Sequence, residues 1–238
     1  MTRRRWIADE FSGNRAVLTG AHAEHLSRVL RARIGQEFDI AAAGELRRGK
    51  ISAITDARVE FELGEIIPAD SAPDIALALS IFKFDRMEWA IEKCTELGAA
   101  KIIPVIASRT EPHLATAACK RRERWEKIAH QASEQSRRIV PPAISRPQKL
   151  KDIIEIPGSL RIVLSEVEQE SMLKEVLESN PDKASIVIAL GPEGGWTQTE
   201  LDLFKQAGWI SASLGNTILR AETAAIAALA VVLSYIKT

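Results

Sequence analysis

The chain has 238 residues, 46% hydrophobic and 27% charged, and its 32 Lys and Arg are balanced by 32 Asp and Glu. That length favours one or two domains with a substantial core, and the composition excludes fibrous, disordered and disulfide-scaffold classes. The most apolar stretch, 224–233, covers about half of the ~20 residues a membrane helix needs. The basic start Met1-Thr2-Arg3-Arg4-Arg5-Trp6 lacks the apolar run of a secretory signal, so a soluble cytoplasmic protein is expected.

Cys94 and Cys119 have no paired spacing and read as packed or incidental thiols. Basic residues gather locally: residues 1–50 hold ten Lys or Arg against six acids, and 120–138 hold seven against three. An excess in arginine suits phosphate contacts, and paired charges on solvated helix faces account for it equally well.

Residues 1–70 read as short β segments with one helix. Segments 15–18, 37–41, 49–54 and 59–63 are brief, partly alternating and bounded by Gly, Asp or Asn. Between them, 21–33 carries Leu26, Val29 and Leu30 at helical spacing, with Gly35 as its stop. A small β-barrel-like domain is the economical arrangement. Pro68 and Pro73 then bracket small and polar residues, the composition of a linker.

From Asp74 the pattern changes. Residues 75–81 form a near-continuous apolar run, as in a strand buried on both faces. A helix over 84–97 follows, with Phe84, Met87, Ile91 and Cys94 on one stripe and Gly98 as its end. Strand 102–106 precedes a helix over 121–136 that buries Trp125, Ile128, Ala129 and Ala132. Strand 160–164, a short helix near 172–177 and strand 185–190 come next. Thr197-Gln198-Thr199-Glu200 is a capping box opening a helix through 207; strand 211–214 and a helix over 222–235 close the chain. Strands alternating with helices imply an α/β domain, a parallel sheet with helices on both faces.

Several chemistries lack their signature. No G-x-G-x-x-G follows a strand, and no G-x-S-x-G is present. Gly44-Glu45-Leu46-Arg47-Arg48-Gly49-Lys50 matches seven places of a phosphate-binding loop, but Ile51 stands where Ser or Thr must hold magnesium. Lying between two short strands, the segment reads as a hairpin. His22 and His25 are three apart with no completing ligands, and read as surface histidines; no metal is expected.

Two glycine-bearing loops remain, each after an apolar strand. Gly191-Pro192-Glu193-Gly194-Gly195-Trp196 follows 186–190, and Leu214-Gly215-Asn216-Thr217-Ile218-Leu219-Arg220-Ala221-Glu222-Thr223 runs into the last helix. Glycines at strand carboxyl ends let backbone approach a ligand, and α/β ligands lie beyond those ends. The loops therefore predict one pocket built largely of backbone. Leu190, Leu214, Ile218 and Leu219 offer apolar surface for a flat heterocycle, and Arg220 and Glu222 converge on it at the start of the helix. Structural roles compete: Glu222 as a carboxylate at a helix N-terminus, Arg220 as the partner of Glu193 or Glu222.

GPEGG after a strand, followed by LGNTILRAETA, resembles the SPOUT-class RNA methyltransferases, and more closely the 16S ribosomal RNA uridine-N3 methyltransferase family called RsmE. His25-Leu26-Ser27-Arg28-Val29-Leu30-Arg31 resembles that family's H-x-x-R-V-L-R stretch. Lys83-Phe84-Asp85-Arg86-Met87-Glu88 with Lys93-Cys94-Thr95-Glu96-Leu97-Gly98 resembles its K-G-D-R-M-E … K-x-x-E-L-G helix, and Glu134-Gln135-Ser136-Arg137-Arg138 its E-Q-S-x-R helix end. The likeness spans essentially the whole chain in order. Phe84 stands where the family has glycine, and Thr217 where it has arginine, which removes a positive charge beside the second loop.

The resemblance implies a PUA-like RNA-binding β-barrel over 1–70 and a SPOUT domain over 72–238 whose end threads a deep trefoil knot. S-adenosylmethionine is implied as cofactor, against Leu164-Ser165-Glu166, Leu190, Gly191, Glu193, Gly194 and Gly195, and Leu214, Gly215, Ile218 and Leu219. A homodimer is implied, with the partner completing the site and small-subunit ribosomal RNA as substrate. Arg3, Arg4, Arg28, Arg31, Lys83, Arg86, Arg137 and Arg138 are the expected RNA contacts, without sequence readout. Methylation of uridine N3 requires loss of the imide proton and stabilisation of charge on O2 and O4. Arg220 is expected to supply the charge, while Glu222 takes the proton or orients Arg220. The alternatives are a SPOUT 2′-O-ribose methyltransferase and a non-catalytic RNA-binding or ribosome-assembly factor.

Overall fold

A computed structural model describes residues 5–68, 73–181 and 184–236. Arg3 and Arg4 lie outside the described residues, as does most of the expected linker. The chain divides into two compact units, Met1–Ser71 with Ser133–Val140 and Ala72–Ala132 with Pro141–Thr238.

The first unit contains β1 (Arg5–Ile7), β2 (Glu10–Ser12), β3 (Arg15–Thr19), α1 (Gly20–Glu24), β4 (Glu37–Ala42), β5 (Glu45–Ile54) and β6 (Arg58–Ile66). Its six strands form one sheet in the order β1-β4-β5-β6-β3-β2, antiparallel except for β1 beside β4. Ala43 and Gly44, at φ 50° and 83°, form the two-residue left-handed turn that suits the twist of a hairpin. The 44–50 segment is therefore the β4–β5 hairpin, with no helix after it to meet a phosphate. Leu18, Leu26, Ile40, Ile51, Phe61 and Leu63 fill the core of this unit.

The expected helix over 21–33 is not continuous. Only Gly20–Glu24 is α-helical, His25–Val29 widens into a π-helical turn, and Arg31 leaves the helix at φ 49°. The wider turn breaks the 3.6-residue stripe, so Leu26 is buried while Val29 stays 66% exposed.

Nor is His22 a simple surface histidine. Its Nε2 lies 2.9 Å from Glu134 Oε2 and its Nδ1 3.4 Å from Asp9 Oδ2, within the first unit. The hydrogen bond to Glu134 raises the imidazole pKa, burial opposes the rise, and the Glu134 and Asp9 charges add to it, taking it from 6.5 to about 9.

The second unit contains β7 (Asp74–Ser80), α2 (Phe84–Leu97), β8 (Lys101–Ile106), α3 (Pro112–Gln135), β9 (Ala143–Ile144), β10 (Gln148–Lys149), α4 (Leu150–Ile154), β11 (Leu160–Leu164), α5 (Leu173–Glu178), β12 (Ser185–Leu190), α6 (Gln198–Gln206), β13 (Ile210–Ala212) and α7 (Ala221–Tyr235). The last residues of α3, from Ser133, belong to the first unit. The strands form a seven-stranded parallel sheet, ordered β10-β8-β7-β12-β11-β13 with β9 beside β8. Alternate residues feed two cores. Ile75, Leu77 and Leu79 join α2, α3, α5 and α7 on one face, and Ala76 and Ala78 join α4 and α6 on the other. The mixed α/β class with helices on both faces follows from this pattern.

α3 starts nine residues before its expected beginning, with Pro112 at the first helical position, where a missing N–H costs no hydrogen bond. β13 is shorter than expected. Ser213 leaves the sheet and bridges to Met172 instead.

Because the folded pKa of His22 lies above its unfolded value, its charge contributes stability that is complete below about pH 6.5 and lost as pH rises towards 9. Thermal melts of the wild type should therefore show a decline across that window. His22→Gln should lower stability at pH 6 and flatten this decline; an equally steep curve in the variant would assign the titration elsewhere.

Candidate functional site

β12, β11 and β13 end side by side, with Leu164 in register with Leu190 on one side and Ala212 on the other. The three following loops enclose a cavity of about 420 Å³, within the range of small-molecule sites. Leu164, Leu190, Leu214, Ile218 and Leu219 supply its apolar lining. Gly191, Gly195 and Gly215 contribute backbone, and Glu193 and Glu166 contribute carboxylates. Of the expected cofactor residues only Gly194 is off the wall. It turns towards Arg109, whose Cδ would lie 3.3 Å from a Cβ at that position.

The loops are held rigidly by hydrogen bonds. The Trp196 indole N–H donates to the Leu164 carbonyl at 3.1 Å, and Gly195 N–H to the Pro192 carbonyl at 2.8 Å. The Arg109 guanidinium donates to the carbonyls of Gly194 and Trp196. Its neighbour Ser108 donates its N–H at 2.8 Å to Glu200, the buried carboxylate that also caps α6 by accepting from Thr197. Burial pushes the Glu200 pKa up, but the hydrogen bonds from Ser108 and Thr197 outweigh it, leaving the group below the usual carboxylate range. Gly195 sits at φ +69°, and a Cβ there would fall 2.6 Å from Glu166 Oε1. Gly215, at φ +131°, donates its N–H to Ser213 Oγ at 3.2 Å.

Arg220 is the N-cap residue of α7, exposed on the cavity rim; its carbonyl accepts from Ala224 N–H at 2.8 Å, while its guanidinium has no hydrogen bond or ion pair among the described residues. Glu222 is not on the cavity wall. Its side chain, 4% exposed in the first turn of α7, places Oε1 3.8 Å from Arg86 Nε, while Oε2 meets no donor among the described residues. Arg86 also sets Nη1 3.0 Å from Glu193 Oε1. The two carboxylates considered as partners for Arg220 thus belong to Arg86, a side chain of α2. Lys83, at the N-cap of α2, lines the cavity, as does Thr217. Phe84 packs edge-on to Trp125 at 6.0 Å beneath the Arg121 guanidinium.

The other expected RNA contacts belong to the first unit. Arg28 is paired with Glu24 at 2.8 Å and Asp56 at 3.0 Å, and Arg31 is exposed. The Arg137 carbonyl accepts from the Arg5 guanidinium, and burial lowers the pKa of the half-buried Arg138. Among the described residues no group of three or more His, Cys, Asp or Glu is arranged to hold a metal, and no helix is long and apolar enough to cross a membrane. The sequence reading missed Trp196 as a wall and tie, and it missed Arg109. Trp196 was visible as a large aromatic directly after GPEGG. Arg109 had no local signal, being 85 residues from the carbonyl it holds.

A family model described as an RNA methyltransferase domain matches residues 46–233. A ribosomal RNA small subunit methyltransferase E from Synechocystis is 33% identical, over 90% of this chain and 71% of that protein. The chain belongs to this methyltransferase family. Another member, from Bacillus subtilis, is 29% identical over 90% of this chain and 88% of that one. Among solved structures, a ribosomal RNA small subunit methyltransferase E from Neisseria gonorrhoeae bound to S-adenosyl methionine superposes with a TM-score of 0.82 at 28% identity, covering 98% of both chains. A methyltransferase from Legionella pneumophila with bound SAM gives 0.83 at 26% identity, again covering 98% of both.

The loop geometry sets apart two neighbouring glycines. Gly195→Ala combines a left-handed backbone with a clash against Glu166 and should destabilise by ~1–2 kcal/mol in urea titrations. Gly194→Ala, meeting only the flexible Arg109 side chain, should cost less. Equal costs would mean that Glu166 moves aside without penalty.

Proposed function

We propose that the chain methylates N3 of a uridine in the 16S RNA of the small ribosomal subunit, with S-adenosylmethionine as donor. The observation that carries this reading is the unpaired Arg220 guanidinium on the rim of a backbone-walled cavity at the carboxyl ends of β11, β12 and β13. The residues present fit the donor. A side chain at Gly191 would come 3.3 Å from the Trp196 amide, and one at Gly195 would collide with Glu166, so the cradle depends on glycine. The leucines and Ile218 suit an adenine, and Glu166, exposed with no ion pair among the described residues, suits an ammonium group. When bound, S-adenosylmethionine supplies an electrophilic methyl group.

The chain's own residues do the rest. Uridine N3 is a weakly acidic imide, and its loss of a proton spreads negative charge over O2 and O4. Arg220, fixed at the start of α7 with its guanidinium uncommitted, stabilises that charge in a site partly shielded from water. Lys83, uncapped at the start of α2, adds positive potential on the same wall. The base leaves its stack to reach the cavity at a cost of roughly a few kcal/mol, which favours an exposed or single-stranded site. Arg28, Arg31, Arg137 and Arg138 would hold RNA phosphates from a PUA-like unit over 1–70, and 72–238 would form the catalytic domain.

A trefoil knot is supported by the placement of Ser213. Its N–H donates to the Ser171 carbonyl and its own carbonyl accepts from Leu173 N–H, both at 2.8 Å, so the chain after β13 passes beside the 171–173 segment before α7 packs back against α2 and α5. A homodimer is supported by α7 itself. Glu222 is its one charged residue and is buried, while Thr223, Ala230 and Ser234 are exposed on the other face, so the helix is uncharged on its solvent side and suits burial against a second copy.

The test is to map modified uridines in ribosomal RNA from cells with and without the protein. N3 methylation blocks Watson–Crick pairing and stops primer extension, whereas ribose methylation leaves pairing intact. A ribose mark in place of a base mark would overturn the assignment. In vitro, Arg220→Ala should lower kcat by ~10²-fold with S-adenosylmethionine affinity nearly unchanged. Full turnover in that variant would remove Arg220 from catalysis.

A further inference from the structure

We infer that Arg86 is a positioning residue that ties the 191–195 loop to the buried Glu222 and so shapes the cavity, rather than a ligand for RNA phosphate; this rests on the cavity being the S-adenosylmethionine site. Three segments distant in sequence meet at its guanidinium. Arg86 comes from the first turn of α2, Glu193 from the loop after β12, and Glu222 from the first turn of α7. The contact to Glu193 is short at 3.0 Å, and the contact to Glu222 is longer at 3.8 Å.

Glu222 gives the arrangement its direction. A carboxylate 4% exposed, with Oε2 meeting no donor among the described residues, depends on its one nearby cation. Burying an ion without a partner is far more costly than burying a pair, so Arg86 is drawn to that position. A fork-shaped guanidinium presents donors in two directions, and its outward Nη1 is then aimed at Glu193. Glu193 is 35% exposed and sits on a loop whose other ties, through Arg109 and Trp196, hold its far end. Arg86 fixes the near end. Its charge is used by two carboxylates, which leaves Arg220 and Lys83 as the cavity cations whose side chains have no partner among the described residues.

The experiment measures S-adenosylmethionine binding by calorimetry, binding of a uridine-rich single-stranded RNA across a salt series, and thermal stability. The variants are Arg86→Ala, Arg86→Lys, Glu193→Gln, and Arg86→Ala combined with Glu193→Gln or Glu222→Gln. Arg86→Ala should weaken S-adenosylmethionine by on the order of tenfold, and its effect should be non-additive with that of Glu193→Gln. Arg86→Lys, a point charge without the fork, should recover only part of the loss. The salt dependence of RNA binding should not change. Adding Glu222→Gln to Arg86→Ala should raise the melting temperature above that of Arg86→Ala alone, because the neutral amide no longer leaves a buried charge. A fall in the RNA salt slope with cofactor affinity intact would overturn the inference and make Arg86 a phosphate contact. Additive effects of Arg86→Ala and Glu193→Gln would overturn the tether to the loop. Failure of the wild type to bind S-adenosylmethionine would instead sink the cofactor reading, and the melting comparison would still decide whether Arg86 neutralises Glu222.

Discussion

The hydrogen bond from the Trp196 indole to the Leu164 carbonyl ties the loop after β12 to the end of the neighbouring parallel strand β11, where sheet pairing stops. Beyond that point each loop must satisfy its backbone polar groups elsewhere or leave them to water. Trp196 takes one carbonyl, Arg109 takes two more, and Pro192 closes the turn to Gly195. What is left facing the cavity is backbone in a fixed arrangement, with little ordering entropy to lose when a ligand arrives. The glycines matter because a Cβ would crowd the Trp196 amide at Gly191 or collide with Glu166 at Gly195.

The same rigidity sorts the charges around the cavity. A buried carboxylate on the last helix needs a cation, and the first turn of α2 supplies it through Arg86. That guanidinium also reaches the loop after β12, so Glu193 and Glu222 both face Arg86 rather than Arg220. An arginine at a helix N-cap with no partner is electrostatically unfavourable in isolation, since the helix start already carries partial positive charge. Such a position suits a ligand that brings negative charge, whether on a base or on the RNA backbone. Membership of the ribosomal RNA small subunit methyltransferase E family agrees with that demand.

Much of this was legible from the residues in order. The expected strands 160–164 and 185–190 coincide with β11 and β12, because largely apolar segments buried on both faces need no strict alternation to be recognised. The stripe from Met87 to Cys94, stopped by Gly98 in the left-handed region, marked α2 from end to end. The segment 21–33 misled, since Leu26, Val29 and Leu30 fit a helical period that the π turn at His25–Val29 breaks. The two-residue strands β9 and β10 carry no period at all and exist only because β8 offers them an edge. The residues expected on the cofactor wall and its rim came from two motifs and one strand end, and all but two of them line the cavity: Gly194 faces Arg109, and Glu222 faces Arg86.

By itself the sequence determined which segments become buried parallel strands, where glycine opens the backbone, and that both glycine loops follow strands of one sheet. These depend on spacing and local conformational preference, which neighbouring residues largely set. The pairing of Arg86 with Glu193 and Glu222, the grip of Arg109 on the loop, and the freedom of Arg220 were decided by tertiary structure alone. Each depends on which side chains arrive within a few ångströms after distant segments pack, and on the cost of burying a charge with no counterion nearby. Charge along the chain records how many such groups exist; only the packed structure assigns their partners.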